Sequence, residues 1–68
     1  MRRIQVNGEE RETAARSLEA LLKELGIEPG AKGVAAAVNE KVAPKSRWHE
    51  TPLAEGDQVE IIRAVQGG

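Results

Sequence analysis

The sequence contains no cysteine among its 68 residues. This absence excludes a disulfide framework, a thiolate zinc site and a thiol nucleophile. The fold must therefore be held by side-chain packing alone. Because a domain of this length buries only about 60% of its unfolded surface, the core is thin and leaves little volume for an enclosed substrate pocket. Length and composition thus disfavour an autonomous enzyme.

Aromatic residues and an excess of one charge are also missing. Trp48 is the only aromatic residue, so single-stranded bases would find no stacking platform. Ten Lys and Arg residues against eleven Asp and Glu residues, spread along the chain, form no basic stripe that would neutralise a phosphate backbone. No nucleic-acid partner is therefore predicted.

Long hydrophobic runs are absent as well. A membrane-spanning helix needs about 18 apolar residues in succession, and no segment approaches that length. The arginines near the start have no apolar stretch behind them, unlike those of a secretory signal peptide. The sequence predicts no membrane association and a cytoplasmic location.

Catalytic groups are equally scarce. His49 is the only histidine, which leaves no credible catalytic triad and, without a cysteine, no recognisable zinc site. Lys41, Lys45 and Arg47 form a small basic group. This group either steers an acidic partner or is a solvated loop, and the sequence leaves both interpretations open.

The first segment has the pattern of a β-hairpin. Ile4 and Val6 alternate with polar residues, and Asn7-Gly8 supplies the two positive φ angles that a type I′ turn requires. The hairpin is predicted from Arg2 to about Thr13. Its returning strand is polar and charged, which is typical of a sheet edge.

A helix is predicted next. Leu18, Leu21, Leu22 and Leu25 follow the spacing of one helical face. Ser17 is a plausible N-cap. A glycine directly after Leu25 is placed to end the helix in the left-handed conformation.

The middle of the chain predicts two short strands. The apolar run 34–39 is too short for an ordinary helix and is interpreted as a buried strand. A turn at Asn39-Glu40 then leads into residues 41–43. Pro44 ends that strand, because it lacks an amide donor for the ladder. The polar segment that follows, residues 45–52, is expected to be a loop.

The last strand is predicted from Val59 to Val65, after a tight turn. Strand alternation assigns Val59 and Ile61 to the core and Ile62 to the opposite face. The resulting order is ββαβββ, an α+β fold with one main helix on a mixed sheet of four to five strands. We predict one domain at residues 1–65, followed by a flexible tail at residues 66–68.

Two glycines follow this strand directly, in the tail Gln66-Gly67-Gly68. Glycine has no side chain and tolerates any φ, so such a tail can thread a narrow channel and bring its carboxylate close to another protein. A carboxylate becomes an acyl donor only after activation, usually as an adenylate formed from ATP. The alternative is a frayed terminus with no role.

Five features occur in order along nearly the whole chain. They are Val6-Asn7-Gly8-Glu9, Val38-Asn39, Val42-Ala43-Pro44 with Trp48 four residues beyond, Leu53-Ala54-Glu55-Gly56-Asp57, and the Gly67-Gly68 ending. Together they resemble the ThiS family of sulfur carriers in thiamine biosynthesis, and this resemblance implies a β-grasp, ubiquitin-like fold.

The resemblance implies a protein co-substrate rather than an enzyme, with no cofactor bound by the chain itself. A ThiF-like adenylating enzyme would activate the Gly68 carboxylate with ATP and magnesium. A sulfur donor such as a cysteine desulfurase would then supply the sulfur of a thiocarboxylate. The acceptor would be a thiazole synthase, ThiG-like, which builds the thiazole half of thiamine.

The same resemblance assigns roles along the tail. Gly68 matches the activated residue, and Gly67 with Gln66 matches the thin segment that enters the partner's active site. As a further hypothesis, the apolar end of the last strand, Ile62, Ala64 and Val65, contacts a partner, since an exposed apolar group on a small domain often marks such a surface. A covering loop or a second copy of the chain is the competing explanation for Ile62.

Related functions share the diglycine chemistry. The alternatives are a carrier for transfer-RNA thiolation or molybdopterin synthesis, a ubiquitin-like protein modifier, and a plain β-grasp binding module with an incidental tail.

Overall fold

The computed structural model describes residues 1–28 and 32–63. Within them the predicted ββαβββ order is confirmed, with one short helix added before the last strand. The elements are β1 Arg2–Val6, β2 Glu9–Thr13, α1 Leu18–Glu24, β3 Val34–Val38, β4 Lys41–Ala43, a 3₁₀ helix Lys45–Glu50 and β5 Gln58–Arg63.

The five strands form one mixed sheet in the order β2-β1-β5-β3-β4. β1 and β5 are parallel, and the other neighbouring pairs are antiparallel. β5 therefore lies at the centre of the sheet, although it is last in the chain. β2 lies at one edge, as its charged sequence predicted.

The β1–β2 hairpin follows from its turn. Asn7 and Gly8 have φ angles of 51° and 85°, which confirms the predicted pair of positive φ values. A side chain other than Asn, Asp or Gly rarely adopts this backbone conformation. The turn sets a register in which Val6 pairs with Glu9 and Arg2 with Thr13.

Helix α1 has both predicted caps. The Ser17 Oγ accepts a hydrogen bond from the Ala20 N–H at 3.2 Å, so it occupies the N-cap position. Gly26, with φ 80°, follows the last turn, and the Ile27 N–H donates to the Leu22 carbonyl at 2.8 Å. This Schellman-type bond turns the chain back onto the helix and buries Ile27.

The core lies between α1 and one face of the sheet and is built mainly from aliphatic residues. Leu18, Leu21 and Leu22 are completely buried there. The predicted core residues of the last strand, Val59 and Ile61, are also buried. Because α1 packs on one face, the other face of the sheet remains open among the described residues.

That open face corrects the prediction for residues 34–39. The segment is a strand, but the prediction that it is buried is wrong for one of its faces. Ala36 is buried against the core, whereas Ala35 is exposed. A run of alanines and valines hides the alternation that would have shown this, because both faces of the strand carry apolar residues.

The prediction of a loop at residues 45–52 is also wrong in part. Lys45–Glu50 forms a 3₁₀ helix that packs against α1. Trp48, on this helix, is 1% exposed, and its Nε1–H donates to the Ala43 carbonyl at 2.8 Å. One large apolar side chain is enough to fix a short polar segment on the core, and no periodic pattern marks such a segment.

The last strand is observed at Gln58–Arg63. Of the predicted strand end, Ala64 and Val65 lie outside the described residues. Within the described part of the chain, no helix combines the length and apolar character needed to cross a bilayer.

Candidate functional site

The site is organised by β5, because the predicted tail follows directly from it. β5 is held between β1 on one side and β3 on the other. Its core-facing residues are buried, and Ile62 is 64% exposed on the opposite face, as predicted. The strand that leads to the tail therefore combines a fixed core side with an exposed apolar side.

Ile62 is part of a larger apolar surface on the open face of the sheet. Strand pairing places Ala35 beside Ile62 and places Val42 beside Ala37. Val42 is 78% exposed, and a depression of about 70 Å³ lies among these side chains, lined also by Ala36 and by Glu60. We call this surface, formed by Ile62, Ala35, Ala37 and Val42, the open-face patch.

The open-face patch was predicted only through Ile62. Val42 was missed because its exposure depends on the register of β4, a strand of three residues. The structure buries Ala43, so strand alternation turns its neighbour Val42 to the other face. An exposed apolar cluster on a small domain is typical of a surface that contacts a partner.

Ala64, Val65, Gln66, Gly67 and Gly68 all lie outside the described residues, so their predicted roles stay predictions. The same holds for the predicted boundary between a domain at residues 1–65 and a tail at residues 66–68.

The predicted basic group is only partly free to contact other molecules. The Arg47 Nη1 lies 3.4 Å from the Glu50 Oε2, and the Lys45 Nζ lies 5.9 Å from the centre of the Trp48 ring. Two of its three cations thus contact side chains of their own 3₁₀ helix, which favours the interpretation as a solvated surface.

Among residues 1–28 and 32–63, no three His, Cys, Asp or Glu side chains are grouped so that they could hold a metal ion. His49 is exposed, and its Nε2 lies 3.4 Å from the Glu50 Oε1.

A mixed sheet with parallel β1 and β5 at its interior, one helix on one face and a diglycine segment beyond β5 defines a ubiquitin-like protein of the β-grasp class. The family model of ThiS matches residues 4–68 of this sequence. The chain belongs to the ThiS family, the sulfur carriers of thiamine biosynthesis. It is a small carrier rather than a catalyst.

Two relatives have the same level of identity but very different lengths. The sulfur carrier protein ThiS of Thermus thermophilus is 37% identical over 65 residues, which cover 96% of this chain and 98% of that protein. A thiazole synthase of Paramagnetospirillum magneticum is 37% identical over 67 residues, 97% of this chain. The chain spans only 20% of that synthase.

Solved structures agree with the fold. The crystal structure of the thiamine biosynthesis protein ThiS from Geobacter metallireducens has a TM-score of 0.78 at 25% identity, covering 97% of this chain and 99% of that one. The solution structure of a thiamine biosynthesis protein from the same organism has a TM-score of 0.75 at 24% identity. The match covers 97% of this chain and 87% of that one.

Proposed function

We propose that this chain carries sulfur as a thiocarboxylate on Gly68 and donates it during formation of the thiazole ring of thiamine. The observation that carries this proposal is the ThiS-family match, which extends to residue 68 and so includes both glycines of the tail. The cysteine-free sequence supports it further, because the chain has no thiol side chain on which to carry sulfur.

Two steps load the sulfur. A ThiF-like enzyme joins the Gly68 carboxylate to the α-phosphate of ATP, with magnesium on the phosphates, and releases pyrophosphate. A sulfur nucleophile at the oxidation level of hydrosulfide then attacks the acyl carbon. The carbon–sulfur bond forms as the bond to AMP breaks, and the products are AMP and the thiocarboxylate.

The chain's own contribution to this chemistry is access. Gly67 and Gly68 have no side chain beyond the Cα, so the acyl carbon can reach a reactive phosphate at the bottom of a narrow channel. Gln66 would lie at the entrance of the channel. ATP and magnesium are co-substrates of the activating enzyme in this scheme.

The proposed acceptor is a ThiG-like thiazole synthase. The relative named thiazole synthase supports this pairing, because a fifth of its length is similar to nearly all of this chain. When a carrier-like segment and the acceptor enzyme share one polypeptide, each is present at a high effective concentration near the other. We further propose a cysteine desulfurase as the sulfur donor. A cellular thiol attacks the persulfide that this enzyme forms, so that a disulfide is made and hydrosulfide is released for the loading step. The proposed location is the cytoplasm, which supplies ATP and thiols.

The open-face patch, together with Ala64 and Val65, is proposed to contact the activating enzyme. Ile62→Lys should raise the KM for the carrier in ATP–pyrophosphate exchange about tenfold, because it removes a buried interface contact and leaves a desolvated charge. Since Ile62 is 64% exposed, its replacement should change the free energy of unfolding by less than about 0.5 kcal/mol.

Gln58→Lys is the matched control for Ile62→Lys. Gln58 is exposed on the same strand and the same face, so this variant introduces the same charge outside the patch. Its KM should equal that of the wild type. Equal KM values for the two lysine variants would show that the open-face patch is not the docking surface.

The product separates this function from protein modification, which begins with the same adenylate. A sulfur carrier yields the free chain with oxygen replaced by sulfur, whereas a modifier yields the chain linked through an amide bond to lysines of other proteins. Mass spectrometry of the reconstituted reaction detects either product directly.

A further inference from the structure

The side chain of Asn7 makes two hydrogen bonds to one residue of β5. Its Oδ1 accepts from the Ile61 N–H at 2.8 Å, and its Nδ2–H donates to the Ile61 carbonyl at 3.2 Å. Asn7 lies in the β1–β2 turn, 54 positions before Ile61 in the chain. The bonds therefore connect the first turn of the fold with the strand that leads to the tail.

These bonds extend the pairing of β1 with β5. The backbone register of the two strands ends at Val6 and Val59, and the Asn7 N–H donates to the Val59 carbonyl at 2.9 Å. The chain then turns away into the hairpin. At Ile61, two residues further along β5, the side-chain amide of Asn7 takes the place that a backbone peptide group of β1 would occupy.

Two independent requirements select asparagine at this position. The backbone has a φ of 51°, which Asn and Gly tolerate and bulky residues do not. Bonding both the N–H and the carbonyl of Ile61 needs an acceptor and a donor on one short side chain, which an amide provides. Glycine meets only the first requirement, since it has no side chain. Aspartate provides the acceptor but not the donor.

We propose that Asn7 is a positioning residue for sulfur loading, a role that rests on the proposed function of Gly68. On the β3 side, β5 is paired as far as Arg63. On the β1 side, the last bonds that the described residues make to β5 are those of Asn7. Asn7 thereby holds β5 from the β1 side as far as Ile61, whereas among the described residues Ile62 and Arg63 are paired with β3 alone.

The bonds of Asn7 to β5 matter because the proposed docking surface and the proposed reacting residue belong to, or follow, the same strand. Ile62, in the open-face patch, is the next residue after Ile61, and Gly68 is seven positions from Ile61. An acyl group attached to a firmly held strand meets a reactive phosphate in a narrower range of orientations than one attached to a loosened strand. Small losses of orientation at a reacting group reduce rates strongly.

Asn39 provides a matched control for Asn7. It also has a φ of 51°, and its Oδ1 accepts from the Gln58 N–H at 2.9 Å. Its Nδ2–H donates to Asp57 at 3.0 Å. It thus has the same residue type and φ angle as Asn7 and bonds the same strand, but at the opposite end, at Gln58.

The experiment compares Asn7→Gly with Asn39→Gly, since glycine keeps each turn and removes only the amide. Both variants should lower Tm by several degrees. Only Asn7→Gly should lower kcat for ATP–pyrophosphate exchange, by about tenfold, with KM within about twofold because the patch stays paired to β3. Exchange of the Ile61 amide hydrogen should accelerate by about tenfold in Asn7→Gly and not in Asn39→Gly.

The outcomes separate the positioning role from the proposed function. Equal kcat losses in the two variants, or an Asn7→Gly kcat equal to wild type, would overturn the positioning role while leaving sulfur carriage intact. Absence of exchange with the wild-type chain would overturn the proposed function and the role that rests on it. If Asn7→Gly does not fold, Asn7→Asp, which keeps one of the two bonds, should still lower kcat at unchanged KM, and a kcat equal to that of the wild type would overturn the positioning role.

Discussion

Deletion of Gly67 and Gly68 is expected to abolish ATP-dependent activation of the chain and leave its stability unchanged. The proposed reacting carboxylate moves back by two residues, so its acyl carbon no longer reaches the α-phosphate of ATP, and Gln66 brings a side chain into the channel. β5 ends at Arg63, so the deletion removes none of its pairing. Urea unfolding should change by less than about 0.5 kcal/mol.

A second tail variant tests the channel itself. Gly67→Val keeps the length of the chain and adds a β-branched side chain next to the reacting residue. Activation should again fall below detection in ATP–pyrophosphate exchange, whereas Gly67→Ala should retain part of it because a methyl group is far smaller. Normal activation of Gly67→Val would contradict the proposal that the tail enters a narrow channel.

Replacement of Trp48 by alanine is expected to cost about 3–5 kcal/mol of stability, the range for removal of a large buried aromatic side chain. A domain of this size has a free energy of unfolding of roughly 3–10 kcal/mol, so the substitution should remove a large part of the stability. Trp48 packs in the core and bonds the Ala43 carbonyl of β4. Its loss also releases the edge strand that carries Val42 of the open-face patch.

Trp48→Phe separates packing from hydrogen bonding. Phenylalanine keeps an aromatic ring in the core but leaves the Ala43 carbonyl without its donor, which should cost about 1–3 kcal/mol, less than the alanine variant. Urea unfolding followed by far-UV circular dichroism measures both, since tryptophan fluorescence is lost in each. A cost below about 1 kcal/mol for Trp48→Ala would place the side chain outside the core.

The parts of the fold that depend on neighbouring residues were predictable from the sequence. Asn7-Gly8 requires positive φ angles, Ser17 caps the helix that begins beside it, and a glycine ends that helix. Each signal acts over a few residues. The assignment of Ile62 to the open face succeeded for the same reason, because strand alternation carries over directly from Val59 and Ile61.

The parts that depend on distant residues were not predictable. Val42 is exposed because of how β4 pairs with β3, and Trp48 is buried because α1 lies within reach of the 3₁₀ helix. The contact of Asn7 with Ile61 joins the two ends of the chain. A single sequence read by local patterns gives no information about which distant residues meet.

The chemistry of the tail was predicted from composition and resemblance together. Two glycines after a strand indicate an unhindered carboxylate, but glycine has no side chain whose contacts could reveal a partner. The family match identifies the carrier. The thiocarboxylate, the adenylate and the three partner enzymes are proposals.

Intact-protein mass spectrometry tests the central claim most directly. The chain is incubated with the ThiF-like enzyme, magnesium, ATP and a sulfur donor, and is then treated with a thiol-alkylating reagent. The account predicts a gain of about 16 Da, since one sulfur replaces one oxygen, and alkylation located at Gly68 of this cysteine-free chain. An unchanged mass, or amide-linked conjugates in place of the heavier free chain, would contradict it.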